Sequence, residues 1–177
     1  MKVHELFEDE EISILSVKGV LPDYFNGTIF ASDLNLTSLE GSPSIIGTLY
    51  CDNNQLGSLK GGPTTVKNNF VCEINKLTSL EGAPSSVGGR FVCSRNKLTS
   101  LHNIHKHIKH IGSYADFNNN PITSCVLGLL LIDGLEKVYL DKTAVQEIIN
   151  KHLRGERDVF ACQEELIEAG FDEFAQL

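Results

Sequence analysis

Four histidines fall within nine residues, His102, His105, His107 and His110, with Lys106 and Lys109 among them. Imidazole is a preferred ligand for zinc and copper, so this density could hold a metal. The spacing H-x2-H-x-H-x2-H matches no standard site, however, and no carboxylate lies inside it. Ile104, Ile108 and Ile111 recur at helical spacing, which places them against a core and the imidazole and ammonium groups in water. The expectation is a solvated basic face and no bound metal. Docking of an acidic partner, tighter below about pH 6.5 where histidine charges, is the functional alternative.

The five cysteines, Cys51, Cys72, Cys93, Cys125 and Cys162, include no C-x-x-C pair of the kind that holds zinc. The first three recur at 21-residue intervals, which points to a column of small apolar groups in a core rather than a nucleophile. The glycines of K-G-G-P and S-S-V-G-G-R belong to turns, not to a phosphate-binding loop. No G-x-S-x-G or H-E-x-x-H motif occurs. The reading is a non-enzymatic chain without cofactors.

What positions these residues is a repeat. F-V-C-E-I-N-K-L-T-S-L from Phe70 returns as F-V-C-S-R-N-K-L-T-S-L from Phe91, an offset of 21. Leu49, Cys51, Asn54, Leu56 and Leu59 fill the same slots one period earlier; Ile29, Ala31, Leu36 and Leu39 do so before them, with Leu34 in the Asn slot. Ala115, Phe117, Asn120 and Ile122 follow after an insertion of about three residues. Pro22, Pro43, Pro63 and Pro84 are spaced 21, 20 and 21 apart, and His105 takes the next slot. Such self-similarity marks an α/β solenoid of about six rungs. Inward Cys51, Cys72 and Cys93 then stack about 4.8 Å apart. The amides of Asn54, Asn75, Asn96 and Asn120 satisfy backbone groups where strands end.

The pattern resembles the leucine-rich repeat, closest to the short bacterial class with a proline in each turn. One slot departs: Gly88 stands at the first apolar position, with Val87 beside it to cover the loss. The T-S-L-E-G-x-P wording and the tail from Val126 to Leu177 are similar to leucine-rich-repeat-like proteins of tailed bacteriophages and bacteria. That resemblance implies a phage setting and a protein of the bacterial host as partner, inhibited or redirected in host takeover or counter-defence.

The outward strand residues form a concave face, where solenoids usually bind. Phe30, Tyr50, Val71 and Val92 are expected as an exposed apolar stripe, continued by Asp116 and Tyr139. Arg90 and Tyr114 flank it on one side, Asp52 and Glu73 on the other, with Arg95 beyond. Aromatic and arginine residues are common interface hot spots, so these eleven form the predicted partner-binding site. Small-ligand or metal binding through the histidine segment, and self-assembly through exposed strand edges, are the alternatives.

Residues 1–20 are expected as an N-terminal cap, 21–141 as the solenoid and 142–177 as a helical C-terminal cap. Thr143 and Gln146 predict a capping box opening a helix to about Arg154, with Val145, Ile148, Ile149 and Leu153 inward. Asp158 predicts the start of a second helix, with Phe160, Leu166 and Ile167 on its apolar face and Gly170 as its stop. E-K-V-Y-L-D from Glu136 predicts a sixth strand, after a buried return from Val126.

Charge is uneven. Residues 1–11 carry five acids and one base, residues 156–177 seven acids and one base, and the remainder 13 bases and 11 acids, which sums to −8. A near-neutral solenoid between acidic ends argues against nucleic-acid binding, which needs a basic face. The run from Val126 to Ile132 is too short to span a membrane, and the acidic start lacks the features of a signal peptide, so a cytoplasmic protein is expected. Oligomeric state is not legible.

Overall fold

The computed structural model describes residues 23–177, so the N-terminal cap expected over residues 1–20 lies outside the described residues. The strands are β1 (Tyr24–Phe30), β2 (Ile45–Tyr50), β3 (Thr65–Val66), β4 (Phe70–Val71), β5 (Ser86–Val87), β6 (Phe91–Val92), β7 (His110–Ile111), β8 (Tyr114–Asp116) and β9 (Lys137–Tyr139). Three helices accompany them, α1 (Ile104–His107), α2 (Thr143–Arg154) and α3 (Val159–Glu168). All strand pairs are parallel, and the chain winds as a solenoid of about six turns, carried by β1, β2, β4, β6, β8 and β9.

The repeat spacing has a structural cause. Ile46 pairs with Val66, 20 residues on, but Leu49 pairs with Phe70, 21 on. The second turn is therefore one residue short between Ile46 and Leu49, which produces the 20-residue proline interval. Gly47 lies in that shortened stretch, and a Cβ there would come within 2.5 Å of the Gly27 carbonyl oxygen. From the third to the fifth turn the backbone bends at a corner, so each of these rungs holds two short strands rather than the single strand of about five residues expected. The sheet divides accordingly: β2 pairs with β3 along its first half and with β4 along its second.

Inside, Ile29, Leu49, Phe70, Phe91, Ala115 and Val138 form one buried column, and Ala31, Cys51, Cys72, Cys93, Phe117 and Leu140 a second. Large and small trade places in the fifth turn, where Phe-x-Cys becomes Ala-x-Phe and rung volume is kept. The rings of Phe70 and Phe91 stack at 5.5 Å, and Phe117 meets Phe91 at 5.9 Å. Ile46, Val66, Val87 and Ile111 make a third buried column across the corner, so Val87 rather than Gly88 fills the apolar slot.

The buried asparagines form the predicted ladder. Asn75 accepts from the Leu56 N–H at 2.9 Å and donates to the carbonyls of Cys51 at 3.0 Å and Cys72 at 3.2 Å, joining two turns through one amide. Asn54, Asn96 and Asn120 repeat the arrangement. In the first turn Asn54 also accepts from Leu34 N–H, and both Asp33 and Asn35 are left-handed, whereas later turns have one such residue there.

The fifth turn carries the insertion. Val87 pairs with Ile111 and Phe91 with Ala115, both 24 residues on, three more than the period, and the surplus forms α1. Ile104, Ile108 and Ile111 are buried as expected. Beyond it, Leu127–Leu131 is a tight helical segment with Leu127, Leu129 and Leu130 buried, although Leu131 turns outward.

At the C-terminal end two expectations are corrected. Thr143 is already helical and makes no cap; Lys142 precedes it without a side-chain bond, and Gln146 Oε1 instead accepts from Leu140 N–H at 2.9 Å. The need to satisfy the end of β9 outcompetes the local capping motif. In α3, Asp158 caps the Phe160 and Ala161 amides as predicted, but Phe160 and Ile167 point to solvent while Cys162 and Leu166 face the core. The helix is thus rotated so that Cys162 and Leu166, rather than Phe160 and Ile167, meet the core. Gly170 ends α3 with φ 78°, its N–H bonded to Ile167 and that of Phe171 to Leu166.

Candidate interaction surface

The outward strand side chains come together as three columns. One holds Thr28, Thr48, Asn69, Arg90, Tyr114 and Lys137; the next Phe30, Tyr50, Val71, Val92, Asp116 and Tyr139; the third Ser32, Asp52, Glu73, Ser94, Asn118 and Asp141. This follows from alternation along parallel strands in fixed register.

The expected exposed apolar stripe is shorter than predicted. Phe30 is 76% exposed and its ring lies parallel to that of Tyr50, 5.5 Å away, but Val71 and Val92 are buried, at 6% and 9%. Their short side chains lie in the column between Tyr50 and Asp116, while Arg90 leans from the adjoining column toward both Tyr50 and Tyr114. Arg90 Nη1 is 3.5 Å from the Tyr114 hydroxyl, and the phenols, Tyr114 first and Tyr50 also, hold the guanidinium above its usual pKa. Tyr114 meets Tyr139 edge-on at 5.5 Å, and Lys137 lies 4.5 Å over the Tyr139 ring. A chain of contacts thus runs from Phe30 through Tyr50, Arg90 and Tyr114 to Tyr139.

The carboxylates form a second line. Asp52 accepts from Ser32 Oγ at 2.6 Å and Glu73 from Ser94 Oγ at 3.0 Å, each across one turn of the solenoid. Asp116 accepts from Asn118 N–H at 2.9 Å, and its carboxyl is raised above the ordinary range by burial first, then by Glu73 and Asp141. Arg95 is exposed beyond this line, in a left-handed turn position shared with Asp33, Asn53, Ile74 and Asn119.

Several contributors stand outside the eleven predicted site residues. Lys67 lies 4.5 Å over the Tyr24 ring and bonds the Tyr24 hydroxyl at 2.5 Å, a contact that reaches from the third turn to the first. Ser32 and Ser94 orient the carboxylates, and their signal was their place in the same slot as Asp52 and Glu73. Ile74, left-handed at φ 53° and 38% exposed, is unusual for a β-branched residue.

The histidines do not converge. His102 Nδ1 lies 2.6 Å from the Leu177 carbonyl oxygen and its Nε2 2.6 Å from Asn103 Nδ2. His105 is partly buried with Nδ1 unpartnered among the described residues, and its pKa is lowered by burial first and by Lys106 and Lys109. His107 is exposed, and His110, in β7, pairs with Ser86 of β5. His102 and His107 border a shallow hollow of about 200 Å³ with Thr78, Ser79, Thr99 and Ser100. Among the described residues no group of three or more His, Cys, Asp or Glu is placed to hold a metal ion, and no helix is long and apolar enough to cross a membrane.

Comparisons with protein-family models, with curated proteins and with solved structures returned no match.

Proposed function

We propose that this chain is a non-enzymatic protein-recognition module of the short leucine-rich-repeat type, closed at one end by α2 and α3, that holds a partner protein on its concave face. The observation that carries the proposal is the Phe30–Tyr50 stack: a flat aromatic surface, 76% exposed at Phe30, standing at the head of an arginine–tyrosine chain. Interface hot spots are enriched in tryptophan, tyrosine and arginine, and an exposed apolar patch on a protein surface marks a site of interaction. The wording of the repeats, similar to that of phage proteins, supports a partner from a bacterial host, inhibited or redirected on binding in host takeover or counter-defence.

The test is affinity capture from bacterial lysate with the wild-type chain and two variants. A partner held by the wild type and by Phe160→Ser, on the outer face of α3, but lost with Phe30→Ala/Tyr50→Ala is the expected result. Retention of every captured protein by the Phe30→Ala/Tyr50→Ala variant removes the concave face from the account.

A further inference from the structure

We infer that the half of the concave face built by the first three turns receives a cationic segment of a partner protein, an arginine of the partner lying on the Phe30–Tyr50 stack with its charge met by Asp52 and Glu73. This rests on the concave-face reading above and adds the chemistry of the partner.

Charge is divided along the solenoid. The outward strand positions of the first three turns hold Asp52 and Glu73, with Asp33 at the adjoining turn position; the one lysine on that side among the described residues, Lys67, bonds Tyr24 and Asn26 at the start of β1, the opposite end from Phe30. Arg90, Arg95 and Lys137 all belong to the last three turns, where Arg90 is held by the Tyr114 hydroxyl and leans back only as far as Tyr50, and Lys137 lies over the Tyr139 ring. The partners of Asp52 and Glu73 are the hydroxyls of Ser32 and Ser94, and an Asn53 amide donates to Asp33. Neutral donors fix the carboxylates in place without cancelling their charge. The ion pairs among the described residues, Lys60–Glu81, Lys151–Glu165 and His152–Glu165, lie elsewhere.

An aromatic pair beside carboxylates is what a guanidinium requires. Its plane stacks on a ring face while its edge donates to oxygen, and it is shed from water at lower cost than an ammonium. Tyr50 and Asp52 are two apart on the same side of the turn, so ring and carboxylate are neighbours. Exposed Ile74, next to Glu73, adds an apolar rim. A phosphate backbone is repelled by this half of the face, and a second copy of this chain, with net charge −8, would set acid against acid.

The experiment titrates ¹⁵N-labelled protein with acetylated octa-arginine, octa-lysine and octa-glutamate peptides at moderate salt. Octa-arginine is expected to shift the amides of residues 30–33, 50–53 and 73–74, to bind more tightly than octa-lysine, and to weaken about tenfold with the near-isosteric Asp52→Asn/Glu73→Gln. Shifts centred on acidic residues 156–173, unchanged affinity in that variant, or octa-glutamate binding at these positions would overturn the inference. So would self-association abolished by Phe30→Ala, which would seat a second copy on the face. Capture from lysate separates the two claims. A partner lost with Phe30→Ala/Tyr50→Ala yet kept at full affinity by Asp52→Asn/Glu73→Gln leaves the face as the site and removes the cationic partner; one kept by both removes the face as well.

Discussion

Asn150 holds both backbone groups of Val138: its Oδ1 accepts the Val138 N–H at 2.7 Å and its Nδ2 donates to the Val138 carbonyl at 2.8 Å. Val138 is the centre of the last strand, so one amide on α2 stands where a seventh turn would otherwise pair. Gln146 adds one more such bond, its Oε1 accepting the Leu140 N–H at 2.9 Å. An open parallel edge is a template for association, and here side chains close it. Asn150→Leu would leave two buried groups unsatisfied, at a cost of about 2–4 kcal/mol in urea denaturation. It should also produce concentration-dependent association in light scattering. A variant as stable as the wild type, with the same mass in light scattering, would show that the edge needs no such closure.

The order of the turns was legible because a repeat makes every slot predict its neighbours. The three-residue surplus in the fifth turn, the asparagine ladder and the columns of Phe70 and Cys72 all follow from register alone. Alternation says which way Val71 and Val92 point but not what leans over them, and Arg90, reaching across to Tyr50 and Tyr114, changes how much of the face is left bare. The corner between β3 and β4 was hidden too, since Lys67–Asn69 reads as continuous strand until both pairings are known. At Thr143 a local motif lost to a tertiary demand, because Gln146 satisfies more at Leu140 than it would at its own helix start.

The thiol file predicts chemical silence. Cys51 and Cys72 are fully buried; burial is the first cause that raises both thiols, Asp52 and then Cys93 raise Cys51 further, and Cys93 on the next turn raises Cys72. Cys162 is pushed up to about 12 by burial and by Glu165. Thiolate is the reactive form, so at pH 8 the native protein should leave Cys51, Cys72 and Cys162 unlabelled by a disulfide reagent over hours, with full reaction in denaturant. Stoichiometric labelling of native protein within minutes would contradict the packed column.

Asp116 and Glu165 predict opposite pH responses. The Asp116 carboxyl is raised in the folded protein by burial first, with Glu73 and Asp141 adding to it, so its contribution is favourable in acid and is lost as pH rises through the folded value. Asp116→Asn, which keeps an acceptor for Asn118 N–H, should therefore raise the melting temperature at pH 7, with the gain vanishing below about pH 3.9. Glu165 is lowered by its bond to Lys151 and then by that to His152, so its contribution is present at neutral pH and is lost as pH falls. Glu165→Gln should cost stability at pH 7 and little in acid. Melting curves of both variants at pH 3, 5 and 7 check the signs, and two effects of the same sign would refute the assignment.

Ile74 occupies a backbone conformation that its side chain resists. It has φ 53° in the column where Asn53 and Asn119 have 52° and 57°, and asparagine tolerates the left-handed region as a β-branched residue does not. Ile74→Asn should stabilise the fold by about 1 kcal/mol, or roughly 2–4 °C in melting temperature. The reverse exchange, Asn53→Ile, should lose a similar amount. Being 38% exposed, Ile74 has little burial to offset its strain, so a destabilised Ile74→Asn would mean that its contacts outweigh the backbone. Strain at an exposed apolar residue is expected where it serves contact with something outside the chain. The same substitution should then weaken the partner captured through Phe30 and Tyr50 while the protein melts higher, an opposition of signs that a purely structural Ile74 could not produce.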